Sequence, residues 1–205
     1  EPELRIFYKE VMPELSVQLK PLIDRASVWN TWGDAFVAVF EYGRDAVEIS
    51  LLYRNLLRDY KYENVGIKKL VPRIAGHYGE FEYFQDTWLD RRNVLGTNIN
   101  TTARIEPITR PGEVFVTKQF KEAIEQLPEK ITRVAFDELG EIELAKNFGE
   151  REIFRLYSSD EPKQIIDRVL KTDLSWPLPE PPIMTEEENK TIEFYKKAPS
   201  GDVLQ

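Results

Sequence analysis

At 205 residues, with 41% hydrophobic and 12% aromatic side chains, the chain can bury the core of one ordinary domain and still carry an appendage. A formal net charge of −8 argues against a nucleic-acid surface as the main function, because such a surface needs clustered Lys and Arg to neutralise phosphate. No apolar run approaches the roughly 18 residues of a membrane span, no signal-peptide pattern opens the chain, and the lack of cysteine removes disulfides and thiolate metal sites and suits the cytoplasm.

Residues 3–24 read as helix, with Pro13 and Pro21 expected to break or restart it. A strand over 27–32, a Gly33-Asp34 turn and a strand over 35–41 follow. The stretch "GRDAVEISLLYRNLLRDY" places apolar residues at 46, 47, 49, 51, 52, 56 and 57, the spacing of an amphipathic helix. "KKLVPRIAGHYGEFEYF" reads as strand, glycine break and strand, and "GTNINTTARIEPI" as a helix with Pro107 near its end. "GEVFVT" is a short strand, "KQFKEAIEQL" a helix, and 131–136, 139–144 and 151–157 are strands. Strands that alternate with helices and are partly joined as hairpins imply an α/β or α+β sandwich with one mixed sheet. After Tyr157 the character changes to a proline-rich, charged stretch containing "WPLPEPP". Residues 158–205 are therefore expected to form an extension that packs on the domain 1–157 or on a partner chain.

Some polar residues stand out by position. "NTWGDAFVAVF" sets Asp34 at the mouth of a buried strand, where an ionised carboxylate must be paired, solvated by the turn or bound to a metal. Asn100 and Arg104 lie at i and i+4 on one helix face. Arg73 leads into the strand that ends at "GHYG", and Lys146 sits in "LAKNFGE", a β-turn pattern. Taken one at a time, each is an ordinary surface residue.

Together and in this order, these blocks resemble the class III nucleotidyl cyclase catalytic domain over about residues 5–157. "NTWGDAFVAVF" resembles its strand-Gly-Asp-strand hairpin and "RIAGHYGE" its Arg-x-Gly-x-His-x-Gly-Glu strand, with the first glycine displaced by one position. "VLGTNINTTARIEPITRPGEVFVT" resembles its Gly-x-x-x-Asn-x-x-x-Arg helix and following Pro-Gly-Glu strand, and "LAKNFGEREIFRLY" its closing hairpin. The resemblance implies an α+β sandwich, a mixed and mostly antiparallel sheet with helices packed on it, working as a homodimer with shared sites. It implies conversion of a nucleoside triphosphate to a 3′,5′-cyclic monophosphate and pyrophosphate, with Mn²⁺ or Mg²⁺ as cofactor. By position, Asp34 matches a metal-binding aspartate and Arg73 a phosphate-contacting arginine. Asn100 matches the asparagine that orients the ribose, Arg104 the arginine that stabilises the transferring phosphoryl group, and Lys146 a lysine on the terminal phosphates.

Two departures sharpen the expectation. The family's other metal aspartate lies on a strand before the first helix, where this sequence begins, so a preceding segment carrying it is expected. Adenine-selective members place a lysine four residues before the Gly-Asp aspartate and an aspartate seven residues before the helix asparagine, and guanine-selective members generally a glutamate at the first. Here those positions are Asn30 and Asn93, two amides suited to a pyrimidine edge. The pattern resembles the bacterial cyclases that make cyclic CMP or cyclic UMP as an antiviral alarm read by a downstream effector, and does not choose between cytosine and uracil, with the lean toward uracil. The alternatives are a purine cyclase and a non-catalytic cyclase-homology module that dimerises or binds nucleotide. His77 reads as a packed histidine, Asp45 and Asp59 as helix-surface charges, and Glu80, Glu82 and Asp86 as surface strand acids. Trp29, Trp32, Phe36 and Phe40 read as core.

Overall fold

The computed structural model describes residues 2–32, 35–128, 131 and 133–160. The chain enters as helix α1 (Pro2–Ile6), passes through one wide π turn (Phe7–Val11) and continues as α2 (Met12–Ile23). The π turn lies immediately before Pro13, whose ring would otherwise clash with the carbonyl four residues back, so the helix widens instead of breaking. Pro21 does not end the helix either; it sits in the last turn, and the chain leaves helical geometry after Ile23.

A hairpin follows, β1 (Val28–Trp32) paired antiparallel with β2 (Ala35–Val39). Helix α3 (Gly43–Asp59) turns two stripes in two directions. Ile49 and Leu57 meet Val11, Leu15, Leu19 and Leu22 of the α2 stripe, whereas Val47 faces the main sheet. That sheet takes the strand order β3 (Ile74–Gly76), β6 (Val114–Thr117), β8 (Glu150–Ser158), β7 (Val134–Glu143), with β3 parallel to β6 and the other pairings antiparallel. Phe120 and Ile124 of α5 (Lys118–Glu125) join Val47 on one face, over Val114, Val116, Phe154 and Leu156. Ile105 of α4 (Thr97–Ile105) covers Phe115 and Ile153 on the other. A separate antiparallel ribbon, β4 (Glu82–Asp86) with β5 (Arg91–Leu95), runs into α4 through Gly96.

The α+β architecture and the mixed, mostly antiparallel main sheet agree with the sequence reading, with three differences. Among the described residues the strands form three sheets, not one. The strands expected at 131–136 and 139–144 are a single strand, β7, with a register shift between Glu138 and Gly140; Gly140 takes φ +88°, a left-handed geometry suited to a bulge. Asp45 is buried, not on the helix surface, and accepts a hydrogen bond from Arg25 at 2.7 Å. No described helix is long and apolar enough to cross a membrane. From residue 161 on, the expected C-terminal extension lies outside the described residues.

Candidate functional site

Helix α4 is the organising element. It begins after Gly96, whose φ of +141° only glycine holds without strain, and its first turn is fixed from outside. Asn98 donates Nδ2–H to the Glu80 carbonyl at 2.6 Å and its Oδ1 faces His77 Nε2 at 3.0 Å. A Cβ on Gly79 would stand 2.4 Å from Asn98 Nδ2, so that glycine is what lets the helix approach. The partners fix the histidine's tautomer: Asn98 Oδ1 can only accept, so Nε2 carries the proton and Nδ1 accepts from the Thr117 hydroxyl at 2.8 Å. Desolvation holds the His77 pKa below its ordinary value, against the Asn98 hydrogen bond that raises it. His77 is thus a neutral peg between β3, β6 and α4, as expected of a packed histidine.

Asn100 is exposed on α4 and Arg104 is half-buried one turn on, with its Nε buried and without a hydrogen-bond partner among the described residues. The β7–β8 turn docks on the same helix: Ala145 donates its N–H to the Arg104 carbonyl at 3.3 Å. Next to it, Lys146 and Asn147 take φ of +62° and +53°, and the turn closes through Leu144 N–H to the Gly149 carbonyl at 2.9 Å. Lys146 is therefore carried exposed on a tight turn fastened to the end of α4. Arg73, just before β3, reaches the residue after that helix, with Nε 2.7 Å from Glu106 Oε1. Four of the expected residues, Arg73, Asn100, Arg104 and Lys146, thus gather on or beside one helix.

The two amides at the base-reading positions meet directly. Asn30, on β1, is 2% exposed and donates Nδ2–H to Asn93 Oδ1, on β5, at 2.7 Å. Asn93 in turn donates Nδ2–H to Asp86 Oδ2 at 3.2 Å. Asp86 ends β4 near the surface, as expected of a strand acid, and its Oδ1 also accepts the Trp88 and Leu89 amides at 3.0 and 3.1 Å, closing the β4–β5 turn. Desolvation pushes its carboxyl up, but the donors from Asn93, Leu89 and Trp88 and the charge of Arg91 outweigh that and keep it below the usual carboxylate range. The sequence signal was an acid two residues ahead of its backbone donors, an Asx-turn pattern. At the far side of the chain of bonds, Asn30 Oδ1 is buried and has no partner among the described residues.

Asp34 lies outside the described residues. Among those described, no three His, Cys, Asp or Glu side chains come together as a cation site. An apolar cavity of about 60 Å³ between α2 and the β1–β2 hairpin and a groove of about 640 Å³ beside α2 and α3 are lined by none of the candidate residues.

This combination of hairpin, sheet and helix is the fold of the class III adenylyl and guanylyl cyclase catalytic domains. Solved structures similar to the chain include the guanylate cyclase domain of a Catenaria anguillulae protein in complex with GTP, at 17% identity over 72% of this chain and 81% of that one, with a TM-score of 0.56. The adenylyl cyclase CyaB from P. aeruginosa matches at 15% identity, over 79% and 83%, with a TM-score of 0.54. An adenylate/guanylate cyclase/hydrolase from Silicibacter pomeroyi matches at 18% identity, over 74% and 88%, with a TM-score of 0.51. No protein-family profile and no curated protein matches the sequence. The likeness is one of fold.

Proposed function

We propose that the chain is the catalytic domain (1–157, with 158–205 as an extension) of a homodimeric, cytoplasmic nucleotide cyclase. It converts a pyrimidine nucleoside triphosphate, UTP or CTP, to its 3′,5′-cyclic monophosphate and pyrophosphate. The observation that carries the substrate class is the 2.7 Å hydrogen bond between Asn30 and Asn93, two neutral amides paired where purine cyclases of this fold are expected to hold charge. The gathering of Arg73, Asn100, Arg104 and Lys146 about α4 supports the triphosphate.

In the reaction the ribose 3′-oxygen bonds to the α-phosphorus, the bridging bond to the β-phosphate breaks, pyrophosphate leaves and the hydroxyl proton passes to water. Asn100 orients the ribose. Arg104, whose buried Nε has no partner among the described residues, offers forked donors to the phosphoryl oxygens as charge develops. Lys146 and Arg73 hold the phosphates. Mn²⁺ or Mg²⁺ at Asp34 supplies Lewis acidity when bound. In the proposed homodimer, Asp34 from one chain and Arg104 from its twin serve the same triphosphate. The cyclic product serves as an antiviral alarm read by a downstream effector.

Full-length protein incubated with Mn²⁺ and each of the four triphosphates tests this. Cyclic product from CTP or UTP is expected. Faster turnover of ATP or GTP overturns the substrate class, and no cyclic product from any of the four leaves a non-catalytic homology module.

A further inference from the structure

We infer that Asp86, acting through Asn93, makes Asn30 an acceptor-only reader of the base, which favours an amino group at pyrimidine C4 or purine C6: cytosine over uracil. This rests on the reading that Asn30 and Asn93 meet the base; it adds what they select and which residue makes them select it.

The argument is one of donors and acceptors. An ionised carboxylate only accepts, so the group Asn93 turns to Asp86 Oδ2 must be its NH₂. Asn93 Oδ1 then faces the other way and takes two donors, the Val94 amide at 2.9 Å and Asn30 Nδ2 at 2.7 Å. With its NH₂ so committed, Asn30 has its carbonyl oxygen left over, and that oxygen has no partner among the described residues. A buried acceptor left bare is costly, and a donor on a ligand recovers that cost. Cytosine and adenine carry an amino donor at the exocyclic position, and uracil and guanine a carbonyl that would face Oδ1 acceptor to acceptor. The relay holds only while Asn93 stays bonded to Asn30, so the base must reach Oδ1 with the β4–β5 ribbon in place.

Asp86→Asn is nearly isosteric and removes the lock. Its Oδ1 still accepts the Trp88 and Leu89 amides, while its new NH₂ meets the Asn93 NH₂, whose oxygen the Val94 amide still claims. Asn93 is then held by no acceptor at residue 86, and Asn30 is free to present either its oxygen or its NH₂ to the base. Full-length wild-type and Asp86→Asn proteins are compared with all four triphosphates, by turnover or, where none is measured, by calorimetric binding. The wild type is expected to favour CTP over UTP, and ATP over GTP, by about tenfold or more, the size of discrimination that an unpaired buried polar group supplies. Asp86→Asn lowers both ratios by at least about tenfold, while inhibition by inorganic tripolyphosphate, which lacks a base, is unchanged. Asn93→Leu, which cuts the relay but keeps the carboxylate and its turn, gives the same loss. Equal ratios in wild type and variants, or a wild type that favours UTP and GTP, overturn the inference. Ring size is read separately: a purine preference with the amino-over-carbonyl ratio intact discards the pyrimidine reading and keeps this one.

Discussion

Arg73 Nε lies 2.7 Å from Glu106 Oε1, so the guanidinium expected to meet phosphate is held by a carboxylate of its own chain. Both side chains are about one-third exposed, 33% and 39%, and an ion pair that open is worth at most about 1 kcal/mol. A triphosphate must displace Glu106 to take Arg73. Glu106→Gln therefore lowers the KM for the nucleotide by up to about fivefold, with kcat held, in steady-state kinetics. An unchanged KM would remove Arg73 from the phosphate site.

Arg155 of β8 is buried and hydrogen-bonded to Asp137, with the buried Glu113 at 3.8 Å. Burial raises the Glu113 pKa, against the opposing charges of Arg110, Arg155 and Arg54. Removing the arginine takes from Asp137 its charged partner and leaves Glu113 to Arg110 and Arg54, so Arg155→Leu costs about 3 kcal/mol in denaturant unfolding. A loss under about 1 kcal/mol would mean that water reaches this cluster.

His77 gives the fold a pH dependence. Desolvation lowers its folded-state pKa below the ordinary 6.5, so the unfolded chain binds the proton more readily. Its contribution is complete above pH 6.5 and is lost as pH falls from there through the folded value. Denaturant unfolding between about pH 5 and 8 should show wild type losing more stability on acidification than His77→Gln. Parallel curves would place the histidine in contact with solvent.

Periodicity made α3 legible, because one helix buries both its faces and its apolar residues are numerous. The same rule split β7 in two, since Gly140 breaks the alternation although the strand runs on through a bulge. "RRNVL" was not read as strand β5, as its two arginines are exposed on a ribbon that needs no apolar face. Asp45 looked like surface charge because its partner, Arg25, is 20 residues away. The α4 residues were found by their spacing within one resemblance. The Asp86–Asn93–Asn30 relay was only half visible: the two amides stood at marked positions, but nothing local singled out the acid that orients them.

The central claim is that a carboxylate of one copy and a guanidinium of its twin act on the same triphosphate. Asp34→Ala and Arg104→Ala chains are each expected to be inactive, and mixing them under demonstrated subunit exchange should restore about one intact site per heterodimer. Activity that stays at the level of the separate variants, with heterodimers present, would contradict the account.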